Sequence, residues 1–239
     1  MQNLIYSTYL AELLPFILCL ILIKGIKRTE LKVFFLYTGT IAFFLCLSLY
    51  FKFFVQNFSQ QLIVNRIFLV VEFTFLCVFY SYCVINHFKK IFFTFSVILF
   101  LLYSFYDFYI SKSGEFSFIP LVVECLFFIL VIVVFFYEKI QYSIASPIYY
   151  ASSFWISVAF LIYFSGNFFL FLFSKTMFKN PNFRAEYTAI YGTVTIIKNL
   201  FLCAAVIVNH AETKNGLNIP KPIDVDLGTF NPLPNQNNH

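Results

Sequence analysis

The chain has 239 residues, of which 61% are hydrophobic and only 11% charged, with a mean hydropathy of +0.83. Soluble globular domains carry about a quarter charged residues, so this composition excludes a water-soluble enzyme or binding domain and implies a protein embedded in a bilayer. The net charge of +5 reflects topology and gives no sign of nucleic acid binding.

Seven apolar segments are predicted, at 4–23, 33–54, 65–85, 91–110, 117–137, 152–174 and 188–208. Each is near the roughly 20 residues that a helix needs to cross a hydrocarbon core. The first opens MQNLIYSTYL, without a basic leader or a small-x-small cleavage site, and reads as a true span, not a removable signal peptide. The fourth is the weakest, because DFYISKSGEFSF blurs its outer edge. The expected fold is an all-α, polytopic bundle of seven transmembrane helices over 1–208. The connecting loops, about 6 to 14 residues each, are too short to hold an inserted domain. Residues 209–239 carry four prolines and little apolar content, and are expected to form a disordered cytoplasmic tail.

Basic residues cluster in the first loop (Lys24, Lys27, Arg28, Lys32) and the third (Lys89, Lys90), and the tail adds Lys214 and Lys221. The positive-inside bias puts these in the cytoplasm of an inner-membrane protein and the N-terminus outside. The stretch KTMFKNPNFR, with three basic residues on the opposite side, narrows the margin. The six cysteines (19, 46, 77, 83, 125, 203) all fall inside spans and form no C-x-x-C pair. They read as small apolar packing residues, so no disulfide, metal or cofactor is expected. The 37 Phe and 16 Tyr read as lipid-facing and core filler.

Two stretches put a carboxylate into this apolar background, LVVEFTFL at 69–76 and LVVECLFF at 121–128. The echo fits an internal repeat or chance in a chain so rich in Leu, Val and Phe. If odd-numbered helices run outside to inside, Glu12, Glu72 and Glu124 are each eight or nine residues from the outer end, and Lys198 about eleven; Asn167, on an even-numbered span, is about eight from the same side. At 1.5 Å per residue these five groups share one level to within roughly 5 Å. Helical spacing gives them inward faces: Thr188, Tyr191, Thr195 and Lys198 form one stripe with Asn199 beside it, Thr8, Glu12 and Pro15 another, and Tyr163 and Asn167 a third. Pro15 and Pro120 are placed to open the backbone near a glutamate. Asp107 and Arg66 read as boundary charges, and Lys52 as a snorkelling one.

A lone charge at bilayer depth costs about 2.5–3.5 kcal/mol on insertion scales. Three ionised glutamates with one lysine would leave two uncompensated negative charges. The expectation is one Glu–Lys198 ion pair, with the other carboxyls available to a proton, a cation or an amine. Buried polar groups also join helices with no ligand involved, and that reading competes.

Seven spans with a lysine in the last suggest a retinal protein, but Val194 stands one turn before Lys198 where that family has its counter-ion, and the sixth span lacks W-x-x-Y-P. No Pro-Gln dipeptide supports a PQ-loop carrier. The three histidines (87, 210, 239) lie outside the spans, where they serve no intramembrane zinc hydrolase, and no serine or aspartyl protease signature occurs. The VVEF of the third span, FWISVAFLIYFSGNFFLF of the sixth and IIKNLF of the seventh resemble a little-characterised group of bacterial seven-helix inner-membrane proteins. Some of these look like N-terminal input modules of sensor histidine kinases. The resemblance implies a sensory or structural module whose output lies in a separate signalling partner protein. The expected function is therefore a non-enzymatic, sensor-like or ligand-binding protein, with a polar cavity open to the outer side. Its site residues are Glu12, Glu72, Glu124, Asn167, Tyr191, Thr195, Lys198 and Asn199. A proton-coupled small-molecule transporter would use the same carboxyls as carrier groups, and an intramembrane enzyme acting on a lipid is a third reading that lacks a recognisable nucleophile–base set.

Overall fold

The computed structural model describes residues 2–23, 26, 28–55, 58–84, 87–110, 118–142, 148–177 and 180–214. Seven α-helices account for nearly all of them: α1 (Gln2–Ile21), α2 (Thr29–Tyr50), α3 (Phe58–Cys83), α4 (His87–Ile110), α5 (Ile119–Tyr142), α6 (Ser152–Met177) and α7 (Pro181–Lys214). A π-helical turn, Phe51–Val55, continues α2, and a 3₁₀ turn, Ile148–Tyr150, precedes α6. All seven helices are long and apolar enough to cross a membrane. The chain is a multi-pass, all-helical membrane protein, and the described residues include no strand. The tail from 215 on, much of DFYISKSGEFSF, and Lys24 and Lys27 of the first loop lie outside the described residues.

Side-chain contacts fix the direction of each helix. Phe16 meets Phe35 and Gly39, and Tyr9 lies near Lys52, so α1 and α2 are antiparallel. The pairs Phe44–Phe68 and Ser48–Gln61 do the same for α2 and α3, and Phe73–Phe100 with Arg66–Phe108 for α3 and α4. Phe128–Phe164 and Phe136–Phe154 run α5 against α6, and Trp155–Phe201 with Phe171–Tyr187 run α6 against α7. The result is an up-and-down bundle. Helix α7 also packs along α1, where Gly192 lets Leu4 and Thr8 approach, and this closes the ring. Seven alternating spans leave Gln2 and Lys214 at opposite ends of the bundle.

The helices are longer than the apolar segments. Helix α7 begins at Pro181, seven residues before the expected 188, because Asn180 Oδ1 accepts the Asn182 N–H at 3.0 Å and proline suits the first helical position. It runs on to Lys214 past the expected boundary at 208, since NHAETK is polar but helix-compatible. Only residues 178–180 join α6 to α7, shorter than the predicted loops. Pro120 is the second residue of α5, where it has no intrahelical donor to lose; it starts the helix and does not open it. Pro15 lies inside α1 and deprives the Ala11 carbonyl of its usual donor, one residue from Glu12.

The helices are unequally buried. Half of the α6 membrane window is buried against 17% of the α4 window, so α6 is the central element and α4 the peripheral one. The largest fully buried side chains (Tyr80, Phe128, Phe160, Phe164, Ile132, Leu202) form an aromatic and aliphatic core, running from the level of Phe128 toward the C-terminal end of the bundle.

Candidate functional site

The same contacts set the relative depth of the ionisable groups. Phe128 stacks on Phe164, so one turn toward the N-terminal end Glu124 is level with Asn167. Gly166 meets Val194, and because α6 and α7 are antiparallel Asn167 is level with Thr193, with Thr195 about half a turn away. Thr8 at Gly192 places Glu12, one turn on, beside the level of Lys198. Tyr80–Phe135 and Phe73–Phe128 set α3 against α5 so that Glu72 lies opposite Phe127. The two LVVE glutamates are therefore offset by about three residues, roughly 4–5 Å in depth, although both face inward. All eight sequence-predicted site residues fall in one slab about two turns thick.

Burial confirms their inward direction. Glu72, Glu124, Asn167, Thr195, Lys198 and Asn199 are buried, Thr8 and Tyr163 are buried too, and Glu12 and Tyr191 are partly exposed. Glu12, Glu72 and Glu124 each lie within Coulomb range of Lys198, and Glu72 within range of both other carboxylates. Helices α1, α3, α5 and α7 thus bring four ionisable side chains together.

The expected Glu–Lys198 ion pair takes a different form. Lys198 Nζ sits 4.3 Å from the centre of the Tyr163 ring, with no carboxylate oxygen within the 4.0 Å of a direct pair. A desolvated ammonium over an aromatic face gains about 2 kcal/mol, and it meets three carboxylates at longer range instead of one at contact. Tyr163 is in turn edge-on to Tyr191 at 6.4 Å, and Tyr191 stacks parallel to Tyr187 at 6.0 Å. Glu72 takes its close partner from elsewhere: Tyr37 on α2 donates its hydroxyl to Glu72 Oε1 at 2.7 Å. Tyr37 was not among the predicted residues. Its only sequence signal is a place in the YTGT stretch of an otherwise apolar span, which is weak in a chain with 16 tyrosines.

Several polar atoms of the slab have no partner. They are Glu124 Oε1, both amide atoms of Asn167, Thr195 Oγ1 and Asn199 Oδ1, with Ser104 Oγ of α4 at a similar level. Among the described residues these are all the buried side-chain nitrogens and oxygens without one. A void of about 10 Å³ borders Tyr37 on the side away from them, and its lining, including Val33, Phe34, Leu76 and Phe160, is otherwise apolar.

Comparison of the chain with protein-family models, with curated proteins and with solved structures found no match. The functional reading therefore stands on the site itself.

Proposed function

We propose that this is a sensor-like, ligand-binding protein of a bacterial inner membrane, non-enzymatic, whose buried polar slab is the input site. One observation carries the reading: three carboxylates and one ammonium from four helices share a level with nearly all the orphaned buried polar atoms. Helix–helix joining alone needs satisfied pairs, because an unpaired polar group in a dry interior costs about 1–3 kcal/mol. In this reading Glu12, Glu72 and Glu124 accept a proton or cation, Lys198 is the internal counter-ion, and Asn167 and Asn199 orient what binds. Tyr191 and Thr195 line the same site. The basic loop KGIKRTELK supports a cytoplasmic C-terminus and an external N-terminus. The resemblance to kinase input modules supports a separate signalling partner that reads the state of the bundle.

Two experiments test this. Double-mutant cycles of Lys198→Met with each of Glu12→Gln, Glu72→Gln and Glu124→Gln, read as thermal stability, should give coupling of about 0.5–3 kcal/mol for at least one pair. Zero coupling for all three would reduce the slab to independent helix contacts. In sealed proteoliposomes carrying a pH-sensitive dye, the protein should leave an imposed pH gradient intact. Dissipation that Glu72→Gln and Glu124→Gln abolish would replace the sensor reading with proton-coupled transport.

A further inference from the structure

We infer that Glu124, Asn167, Thr195 and Asn199 form a binding site for a monovalent hard cation of the sodium class; the inference rests on reading the slab as a ligand site and names the ligand for its α5–α6–α7 side.

The first support is burial without partners. Glu124 and Asn199 are 1% exposed, Asn167 and Thr195 are 0%, and each keeps at least one oxygen that no protein donor reaches. The four residues come from three helices that pack in sequence, α5 on α6 and α6 on α7. Their register places Glu124, Asn167 and Thr195 within about one turn of each other, and Asn199, one turn further along α7, directs its side chain back to the Thr195 carbonyl.

The second support is how other hydroxyls in this bundle behave. Thr8, Thr40, Thr74, Thr94, Ser96, Ser165, Ser174 and Thr188 all donate to the carbonyl four residues back in their own helix, and Thr38 to the one three back. That bond is the default for a hydroxyl inside a membrane helix, where no water competes. Thr195 is fully buried in the same kind of helix and does not make it. Asn199 spends its Nδ2 on the Thr195 carbonyl, at 3.0 Å, and leaves Oδ1 unused. In both residues the atom left without a partner is an oxygen.

Charge and donor chemistry then choose the ligand. Three carboxylates against one ammonium leave the slab short of positive charge, and Lys198 is engaged by Tyr163. Hard cations take oxygen ligands, and here a carboxylate oxygen, two amide oxygens and a hydroxyl oxygen are offered together. One carboxylate among neutral oxygens balances a single positive charge. A divalent ion would call for more anionic ligands, and His87 at the start of α4 and His210 near the end of α7 lie away from this level. With an ion on Asn167 Oδ1, the amide Nδ2 remains a donor, for which the Glu124 carboxylate is a level-matched acceptor.

The test uses the purified full chain in detergent at fixed pH and fixed ionic strength, with Na⁺ exchanged for choline, K⁺ or Ca²⁺. The reporter of unfolding is fluorescence of the single tryptophan, Trp155, which stacks on Phe201 of α7. Replacing choline by Na⁺ should raise the melting temperature saturably, by roughly 5 °C at concentrations well above half-saturation. Glu124→Gln should abolish the rise, and Thr195→Val should move half-saturation to about tenfold higher Na⁺ (1.4 kcal/mol). Thr40→Val, whose hydroxyl bonds its own backbone, should leave the rise unchanged. Should Glu124→Gln fail to fold, Thr195→Val and direct ²²Na⁺ binding carry the test. Equal melting temperatures in Na⁺ and choline would mean that the orphaned oxygens hold water only, and would overturn the proposal. A rise with Ca²⁺ and none with Na⁺, or a Na⁺ effect that survives both Glu124→Gln and Thr195→Val, would overturn it as well. Failure here with intact Lys198–glutamate coupling would remove the cation and leave the input-site reading standing.

Discussion

The bundle holds two regions of opposite character one above the other. Toward the C-terminal end, Tyr80, Phe128, Ile132, Phe135, Ile156 and Leu202 are buried in mutual contact, and the polar atom among them is satisfied: Tyr80 donates to Ser157 Oγ at 3.3 Å. One or two turns away, Glu72, Glu124, Asn167, Thr195, Lys198 and Asn199 are buried as well, yet four of these six keep an oxygen without a partner. Burial is the same, so the difference lies in how completely polar groups are paired. The first region is what a helix bundle needs in order to hold together. The second carries partnerless polar atoms that cost stability, as functional sites often do.

Four tests break or sharpen this contrast, in order of expected effect. Phe128→Ala empties the packed region, where the ring touches Phe73, Tyr80 and Phe164. Cavity formation costs roughly 3–5 kcal/mol in soluble cores, and because lipid already solvates apolar groups the low end of that range is expected in detergent melting. Gly166→Ala acts at the seam between the regions, since a Cβ there would lie 2.8 Å from Val194 Cγ2. Overpacking should cost about 1–3 kcal/mol, and Val194→Ala in the same chain should restore most of the lost melting temperature.

Tyr37→Phe and Tyr80→Phe remove one hydroxyl from each region. The first strands a buried carboxylate oxygen and should cost about 1.5–3 kcal/mol, the second a neutral pair worth about 0.5–1.5 kcal/mol. Equal losses would mean that Glu72 is a neutral acid at the assay pH. The smallest effect is also the most diagnostic. Thr195→Val in sodium-free buffer removes a hydroxyl that has no partner, so stability should stay level or rise by up to about 1 kcal/mol. A loss above that would show that Thr195 makes a structural bond after all.

Much of this is legible in the sequence. Isolated glutamates, a lysine and an asparagine inside windows of about twenty apolar residues are conspicuous. Because helices rise uniformly, counting residues from a membrane boundary put them near one depth, although the structure spreads them over about two turns where roughly 5 Å was expected. Glu12, Glu72, Glu124, Asn167 and Lys198 were found that way. Tyr37 was not, because one tyrosine among 16 carries no signal until its hydroxyl is seen against Glu72. The ion pair assumed for Lys198 became an aromatic contact because charge counting ignores the face of Tyr163. Helix ends were missed by up to seven residues at Pro181, where a polar cap and not hydropathy starts the helix. Pro120 and Pro15 look alike in sequence and differ only in position along a helix, which hydropathy places too coarsely to resolve.

The seating of α7 against α1 has a consequence for how the protein is made. Of the seven spans described, the one with Glu12 leaves the ribosome first and the one with Lys198 last; the two residues are 198 − 12 = 186 positions apart. At elongation rates of about 5–20 residues per second, that gap lasts roughly ten to forty seconds. During that time α1 must wait in the bilayer with its carboxyl unmatched, at an insertion cost of about 2.5–3.5 kcal/mol if charged. The arrival of the seventh helix, which packs along α1, brings Lys198 within range of that carboxyl and ends the wait.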